Sequence, residues 1–507
     1  MLLPLVYLVI RAAGGGADAW SVLGRRGTAE TVLKTIALVG GVTASSLLIG
    51  VPLAWLVSRT DLPGRRLWAV AAALPLVIPS YVAALALLGA FGPRGLLQQA
   101  LEGPFGVERV PEIYGYPGAV LALTLSSYPY VFLLALAGFR AVDPALEEAS
   151  RGLGRSPTAT FFHVTLPVAR PSIAAGALLV GLYTLSDFGA VSLMQYDALT
   201  RAIFLQYRAL FDRTPAAVLA LVLVALTAII LLLEARTRRR GSAAREGPGA
   251  GRLARPVELG RWRWPALGLC GFVALVFCGV PLAVLGWWLA RTDSLRADLD
   301  GIWAPLGNTV LVALAAAAAA TVAALPIALL ARRYPSRATT FVERLSYTSN
   351  ALPGIVIALS LVFFAARYAG AIYQTLGLLV LAYVVRFLPE SLAGASSCLA
   401  GVSRRAEEAA LGLGRRRLRV LAQITLPLAR GGILAGAALV VLSTMKELPA
   451  TLLLRPIGFE TLATEIWKLT SVGAYSRAAL PALVLVAVAA PVVYLLLRRG
   501  GAREAPG

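Results

Sequence analysis

Eleven stretches of about 20 apolar residues each run along this chain, near 32–57, 67–91, 119–139, 171–193, 215–233, 265–289, 308–330, 345–366, 376–397, 431–454 and 479–497. At a rise of about 1.5 Å per residue, each is long enough to cross a hydrocarbon core of roughly 30 Å. In lipid only a helix of that length satisfies its own backbone groups. The opening MLLPLVYLVI, ahead of Arg11, reads as a short first helix corresponding to GVPLAVLGWWLA at 279–290. No basic stretch precedes it, so a cleaved signal peptide is not expected. With 58% hydrophobic residues over 507, the expectation is an all-α membrane protein of about 12 transmembrane helices.

The spans come as a tandem duplication. KTIALVGGVTASSLLIGVPLAWLVSRT matches NTVLVALAAAAAATVAALPIALLARR at an offset of 274, which places Thr35 on Thr309, Pro52 on Pro326 and Pro79 on Pro353. By Pro129 and Pro389 the offset has become 260, so the first half carries 14 extra residues. They fall in 92–118, a segment with Glu102, Glu108 and Glu112 that reads either as an external docking or gating element or as a solvated insertion. The halves divide as 1–233 and 265–497, with an Arg/Gly/Pro-rich linker at 234–264 and a tail at 498–507. Two six-span units in parallel topology imply a pseudo-two-fold axis along the membrane normal with a pathway between them.

The most closely repeated stretch is polar: EEASRGLGRSPTATFFHVTLPVARPSIAAG at 147–176 and EEAALGLGRRRLRVLAQITLPLARGGILAG at 407–436. Good helix formers at 145–153 and 404–413 are stopped by glycine, and a second helical stretch runs to Leu166-Pro167 and Leu426-Pro427, where proline disfavours helix in the residue before it. The loops so defined, 141–170 and 401–430, lie beside the membrane. If they, with Arg140 at the edge of the first, the linker, the loops at 58–66 and 331–344 and the tail share one side, that side holds 30 of the 47 basic residues, against 15 opposite. The positive-inside rule makes it cytoplasmic. The formal charge of +21 is thus spread over membrane loops rather than gathered into a nucleic-acid patch, and the nine linker arginines suit anionic lipid headgroups.

Glu-Ala-Ala, a glycine six residues after the Glu, then Ile-x-Leu-Pro resembles the EAA motif of permease subunits of binding-protein-dependent ABC importers. The second copy matches at Glu408, Ala409, Ala410, Gly414, Ile424, Leu426 and Pro427; the first, at Glu148, Ala149, Gly154, Leu166 and Pro167, departs at Ser150 and Val164. The resemblance implies two tandem six-helix units of the type I importer permease kind. It also implies that Glu148 and Glu408 make polar contact with an ATPase or cap the loop, while Gly154 and Gly414 permit the turn.

The chain offers no nucleotide site of its own. Its lysines are Lys34, Lys446 and Lys468, and none follows a glycine as a phosphate-cradling loop requires. ATP and Mg are therefore expected on a separate partner, which the resemblance implies to be two copies of an ABC ATPase, and this chain is not expected to be an enzyme. His163, whose counterpart in the other copy is Gln423, reads as surface polar, and Cys270, Cys278 and Cys398 suggest neither a disulfide framework nor a metal site. No catalytic, cofactor or metal residues are predicted.

Ionisable residues within spans are functional candidates. Asp187 in LSDFGAVSLM and Glu447 in MKELPATLLL coincide at offset 260. They read either as a symmetry-related pair lining the route of a cationic substrate, or as a helix cap at Asp187 and a Glu447–Lys446 pair that shape helix breaks. Arg386 is expected to pair with Glu390, four residues on.

SSYPYVFLLALAGFR at 126–140, SDFGAVSLMQYDALTRAIFLQY at 186–207 and STMKELPATLLLRPIGFETLATEIW at 443–467 resemble ferric iron permeases that fuse two units in one chain. This implies a bacterial inner-membrane transporter fed by a periplasmic ferric-binding protein. Thiamine, sulfate, polyamine and phosphonate importers share the architecture. An ion-coupled secondary transporter using Asp187 and Glu447 would leave the duplicated loops unexplained.

Overall fold

The computed structural model describes residues 3–93, 95–106, 111–209, 214–242, 256–291, 295–349 and 352–501. Among them there is no strand, only one isolated bridge between Thr60 and Val257. Ten helical segments are long and apolar enough to cross a membrane, and Leu3–Ala13 and Gly354–Tyr368 are shorter apolar helices. The expected short first helix is therefore present.

Contacts do not divide the chain at the linker. One unit joins Met1–Ala19 to Asp293–Gly507, and the other is Trp20–Thr292. The opening helix packs on Gly354–Tyr368, with Tyr7 edge-on to Phe364 at 5.8 Å and its hydroxyl donating to the Phe363 carbonyl at 3.3 Å. In the other unit, Val280–Ala290 packs on Ser80–Phe91, where a Cβ on Gly89 would come within 2.6 Å of Val284. The first helical segment of each repeat thus packs with the body of the other repeat.

Within Trp20–Thr292 the core is the packing of Arg26–Arg59, Tyr116–Arg140 and Leu166–Ser186, and within the second unit it is that of Leu295–Arg333, Leu376–Ala400 and Leu426–Met445. Lipid tails are as apolar as leucine, so association of such helices rests on close backbone approach at small residues. Gly394 and Gly436 show this, since a Cβ on Gly394 would lie 2.7 Å from the Gly436 Cα.

Four of the predicted continuous spans are broken. The 67–91 stretch is Arg65–Ala73, a 3₁₀ turn and Ser80–Phe91, with Pro79 capping the second helix. Its counterpart is Arg337–Thr348 followed by Gly354–Tyr368 behind Pro353. The 171–193 and 431–454 stretches break at Asp187 and around Lys446–Glu447, giving the short helices Gly189–Leu193 and Pro449–Leu454. Every residue of Ser80–Ala90 is buried.

The linker reading divides. Residues 234–242 continue the helix Thr214–Ser242, 243–255 lie outside the described residues, and 256–259 run beside the loop after Arg59. There the Val257 amide donates to the Arg59 carbonyl at 2.7 Å and the Asp61 amide to the Val257 carbonyl at 3.2 Å. In the 92–118 insertion a helix covers Leu96–Phe105, while Glu108, like the tail at 502–507, lies outside the described residues.

Candidate coupling loops and broken-helix sites

Each copy of the polar segment begins with a nine-residue helix, Pro144–Gly152 or Arg404–Gly412. The first is capped by Asp143, whose carboxylate accepts from the Ala145 amide at 2.9 Å. Both end in left-handed glycines, Gly154 at φ +83° and Gly414 at φ +79°. The amides of Gly154 and Arg155 return to the carbonyls of Arg151 and Ser150, and those of Gly414 and Arg415 to Leu411 and Ala410. These bonds satisfy carbonyls that a helix end leaves open. A Cβ at either glycine would meet nothing within 4 Å, so the dihedral alone asks for glycine.

The second stretch does not stop at Leu-Pro as expected. Pro157–Thr160 passes through a π turn, Phe161–Thr165, directly into Leu166–Ser186, and Arg417–Val420 does the same through Leu421–Thr425 into Leu426–Met445. The wider π turn absorbs the missing donor of Pro167 and Pro427, so the proline redirects the hydrogen bonds without ending the helix. Each loop is thereby a continuous extension of a membrane span.

Glu148, Ala149, Glu408 and Ala409 lie exposed on the short helices. The glutamates that hold the loops in place are the preceding ones. The Thr165 hydroxyl donates to Glu147 Oε1 at 2.5 Å, and Arg59 Nη1 stands 3.5 Å from Glu147 Oε2. Arg59 also donates to the Val142 carbonyl at 3.1 Å. In the second copy Thr425 donates to Glu407 Oε1 at 2.6 Å and Arg333 Nη2 lies 3.2 Å from Glu407 Oε2, while Arg332 takes over the backbone bond to Val402. Burial opposes the charge on Glu407, but the Thr425 hydroxyl and the Arg333 and Arg332 guanidiniums outweigh it and hold the carboxyl below the usual carboxylate range. The signal for these residues was present in the sequence: Glu147 and Thr165 fall on Glu407 and Thr425 at offset 260, and Arg59 on Arg333 at 274.

Leu153 and Leu413, just before the two glycines, are 85% and 84% exposed. Leu166, Pro167 and Leu426 are half-buried where the loops re-enter the spans, and Pro427 is exposed. His163 is exposed, with Nδ1 2.9 Å from the Ala159 carbonyl.

Asp187 and Glu447 occupy matching places at the two breaks but have different surroundings. Asp187 Oδ1 accepts from the amides of Ala190 and Val191 at 3.0 and 3.3 Å, and its other oxygen accepts from the Ser80 hydroxyl. It caps the short helix that follows and ties it to the Pro79 break. Glu447 accepts from the Ala450 amide at 3.2 Å and forms an ion pair with Arg386 Nη1 at 2.9 Å. Arg386 was expected to pair with Glu390, but Glu390 instead accepts from Ser443 at 2.8 Å. The distant pairing follows from space: where the first repeat has Ser80 the second has Gly354, and a Cβ there would lie 1.4 Å from Arg386 Nη1. Arg386 in turn replaces Ser126. The two exchanges compensate each other.

Duplicated apolar spans, each set carrying a buttressed helix–glycine–helix loop, define a membrane permease of two tandem repeats. Residues 46–240 and 320–501 match the family described as binding-protein-dependent transport system inner membrane component, and the chain belongs to that family. It is 32% identical over 501 residues to the Fe(3+)-transport system permease protein FbpB 2 of Haemophilus influenzae, covering 98% of this chain and 95% of that protein. It is 23% identical over 437 residues to the ferric transport system permease protein FbpB of Actinobacillus pleuropneumoniae, 82% of this chain and 63% of the relative. It is also 34% identical over 161 residues to the molybdenum transport system permease protein ModB of Escherichia coli, 32% of this chain and 69% of the relative. The protein is an ABC importer permease, a multi-pass component of the inner membrane.

Proposed function

We propose that this chain forms the translocation pathway for ferric iron, delivered by a periplasmic binding protein and driven by two copies of a separate ATPase. The end-to-end similarity to a Fe(3+)-transport permease carries the cargo assignment. The paired loops carry the coupling. On each, the exposed Glu148, Ala149 and Leu153, or Glu408, Ala409 and Leu413, form the ATPase-facing surface. Gly154 and Gly414 set its turn, and Leu166-Pro167 and Leu426-Pro427 pass its displacement into a span through an unbroken helix. ATP and Mg are held by the partner, whose closure opens the pathway outward and whose hydrolysis resets it. The similarity to a molybdenum permease supports a second reading, in which the cargo is an oxyanion.

The test is ATP hydrolysis by the chain reconstituted in liposomes with its co-purified ATPase. Binding proteins are added empty, iron-loaded or molybdate-loaded. Stimulation by the iron-loaded protein alone is expected. Stimulation by the molybdate-loaded protein alone favours the second reading, and absence of any associated ATPase overturns the coupling assignment.

A further inference from the structure

The two broken-helix sites differ in chemistry in a way that bears on a trivalent cation. Around Asp187 the donors are hard oxygens. The Ser80 hydroxyl bonds its carboxylate, Tyr183 lies one turn before Asp187 on the helix that ends there, and Tyr81 packs where a Cβ on Gly189, two residues after Asp187, would meet it at 2.8 Å. The rings of Tyr130 and Tyr183 lie 5.6 Å apart, and both side chains are half-buried rather than sealed in the core. At the register-equivalent positions of the second repeat, Tyr130 becomes Glu390, Tyr183 becomes Ser443 and Tyr81 becomes Ile355. Two cations enter there as well, Arg386 for Ser126 and Lys446 for Ser186. The second site therefore pairs its Glu447 internally with Arg386, whereas the first gathers phenols around its one carboxylate.

We propose that Tyr130, Tyr183 and Asp187 form a transient ligand set for ferric iron in the first repeat, with Ser80 orienting the carboxylate. The inference rests on the ferric reading of the pathway. Hard oxygen donors, carboxylate and tyrosinate, suit a hard cation. Ligands bind deprotonated, so each phenol breaks its O–H bond, forms an Fe–O bond and releases its proton to water. Two phenolates and one carboxylate then carry three negative charges against the three positive charges of the ion. The iron stays ferric throughout, and the neutral cluster removes most of the penalty of holding a trivalent charge at low dielectric. Among the described residues no group of three or more His, Cys, Asp or Glu could hold a metal, so the phenols are what complete the set.

The test uses the full chain in lipid nanodiscs titrated with ferric nitrilotriacetate, following the visible charge-transfer absorption of phenolate bound to iron. A band saturating at one iron per chain is expected. Tyr130→Phe/Tyr183→Phe keeps the ring pair, removes both oxygens and should abolish the band, and each single variant should weaken iron binding at least about tenfold. No band in the wild type, or a band unchanged in the double variant and so arising from other tyrosines, overturns the proposal. If the double variant does not reach the membrane, the single variants decide it, and unchanged titrations in both overturn it. Uptake into proteoliposomes separates the two levels. Iron import equal in wild type and double variant removes the ligand set and leaves the ferric pathway standing, whereas import of molybdate without iron removes both.

Discussion

Gly354→Ser places in the second repeat the residue that the first carries at the same position, and the structure makes it a severe change. An ideal Cβ at Gly354 would lie 1.4 Å from Arg386 Nη1 and 2.5 Å from Glu447 Oε1, so the guanidinium has to leave. Glu447 keeps 5% side-chain exposure and Arg386 18%. Breaking a buried pair by displacing one partner costs roughly 3–5 kcal/mol, and the partial exposure of Arg386 argues for about 3. Arg386→Ser alone loses the same pair and should cost a similar amount. Made together, the two changes reproduce the Ser80/Ser126 combination: the clash is gone, and the new hydroxyl can donate to Glu447 as Ser80 does to Asp187. The double variant should therefore be more stable than the sum of the singles by at least about 2 kcal/mol. The assay is denaturant unfolding of the purified chain in mixed lipid–detergent micelles, as a double-mutant cycle. A Gly354→Ser protein as stable as the wild type, or strictly additive effects, would refute the reasoning that the glycine exists to seat the guanidinium.

Three further outcomes follow from the loops. Leu153→Ser with Leu413→Ser should leave the unfolding free energy within about 0.5 kcal/mol, as for exposed sites, yet release the ATPase on size exclusion; retention of the ATPase would remove these side chains from the docking surface. Gly154→Ala or Gly414→Ala forces a β-carbon into the left-handed region at a cost of about 1–2 kcal/mol, and should lower ATPase stimulation while overall helicity by circular dichroism is unchanged. Glu407 has its carboxyl held below the ordinary range, so its contribution to stability is present above about pH 4.3 and is lost as the pH falls through the lower folded-state value. Glu407→Gln should flatten that acid limb in an unfolding series from about pH 7 to about pH 3, and an unchanged limb would assign it to other groups.

Hydropathy located every span because lipid imposes one requirement, length of apolar helix, that the sequence states directly. It could not show the breaks at Pro79 and Pro353, since a broken helix packed inside protein is as apolar as a continuous one, whereas those at Asp187 and Glu447 were legible through charged residues within spans. Proline was informative only in part. Pro79 and Pro353 do start new helices, whereas Pro167 and Pro427 are carried by π turns whose geometry leaves no composition signature. In the loops, the family resemblance drew the reading to Glu148 and Glu408, and the duplication also marked the buttress beside them. Arg59, Glu147 and Thr165 recur as Arg333, Glu407 and Thr425, and a polar triad repeated across two offsets is more readily explained by mutual contact than by three separate constraints. The reverse case is the Ser80/Ser126 and Gly354/Arg386 exchange. Each position differs between repeats, so self-comparison discards both, and only coordinates show that one loss makes room for the other gain. Identity between the repeats thus marks the anchoring of the loops that they share, while paired differences mark where they diverge. In this chain the divergence lies at the broken helices, where one site collects phenols and the other an internal ion pair.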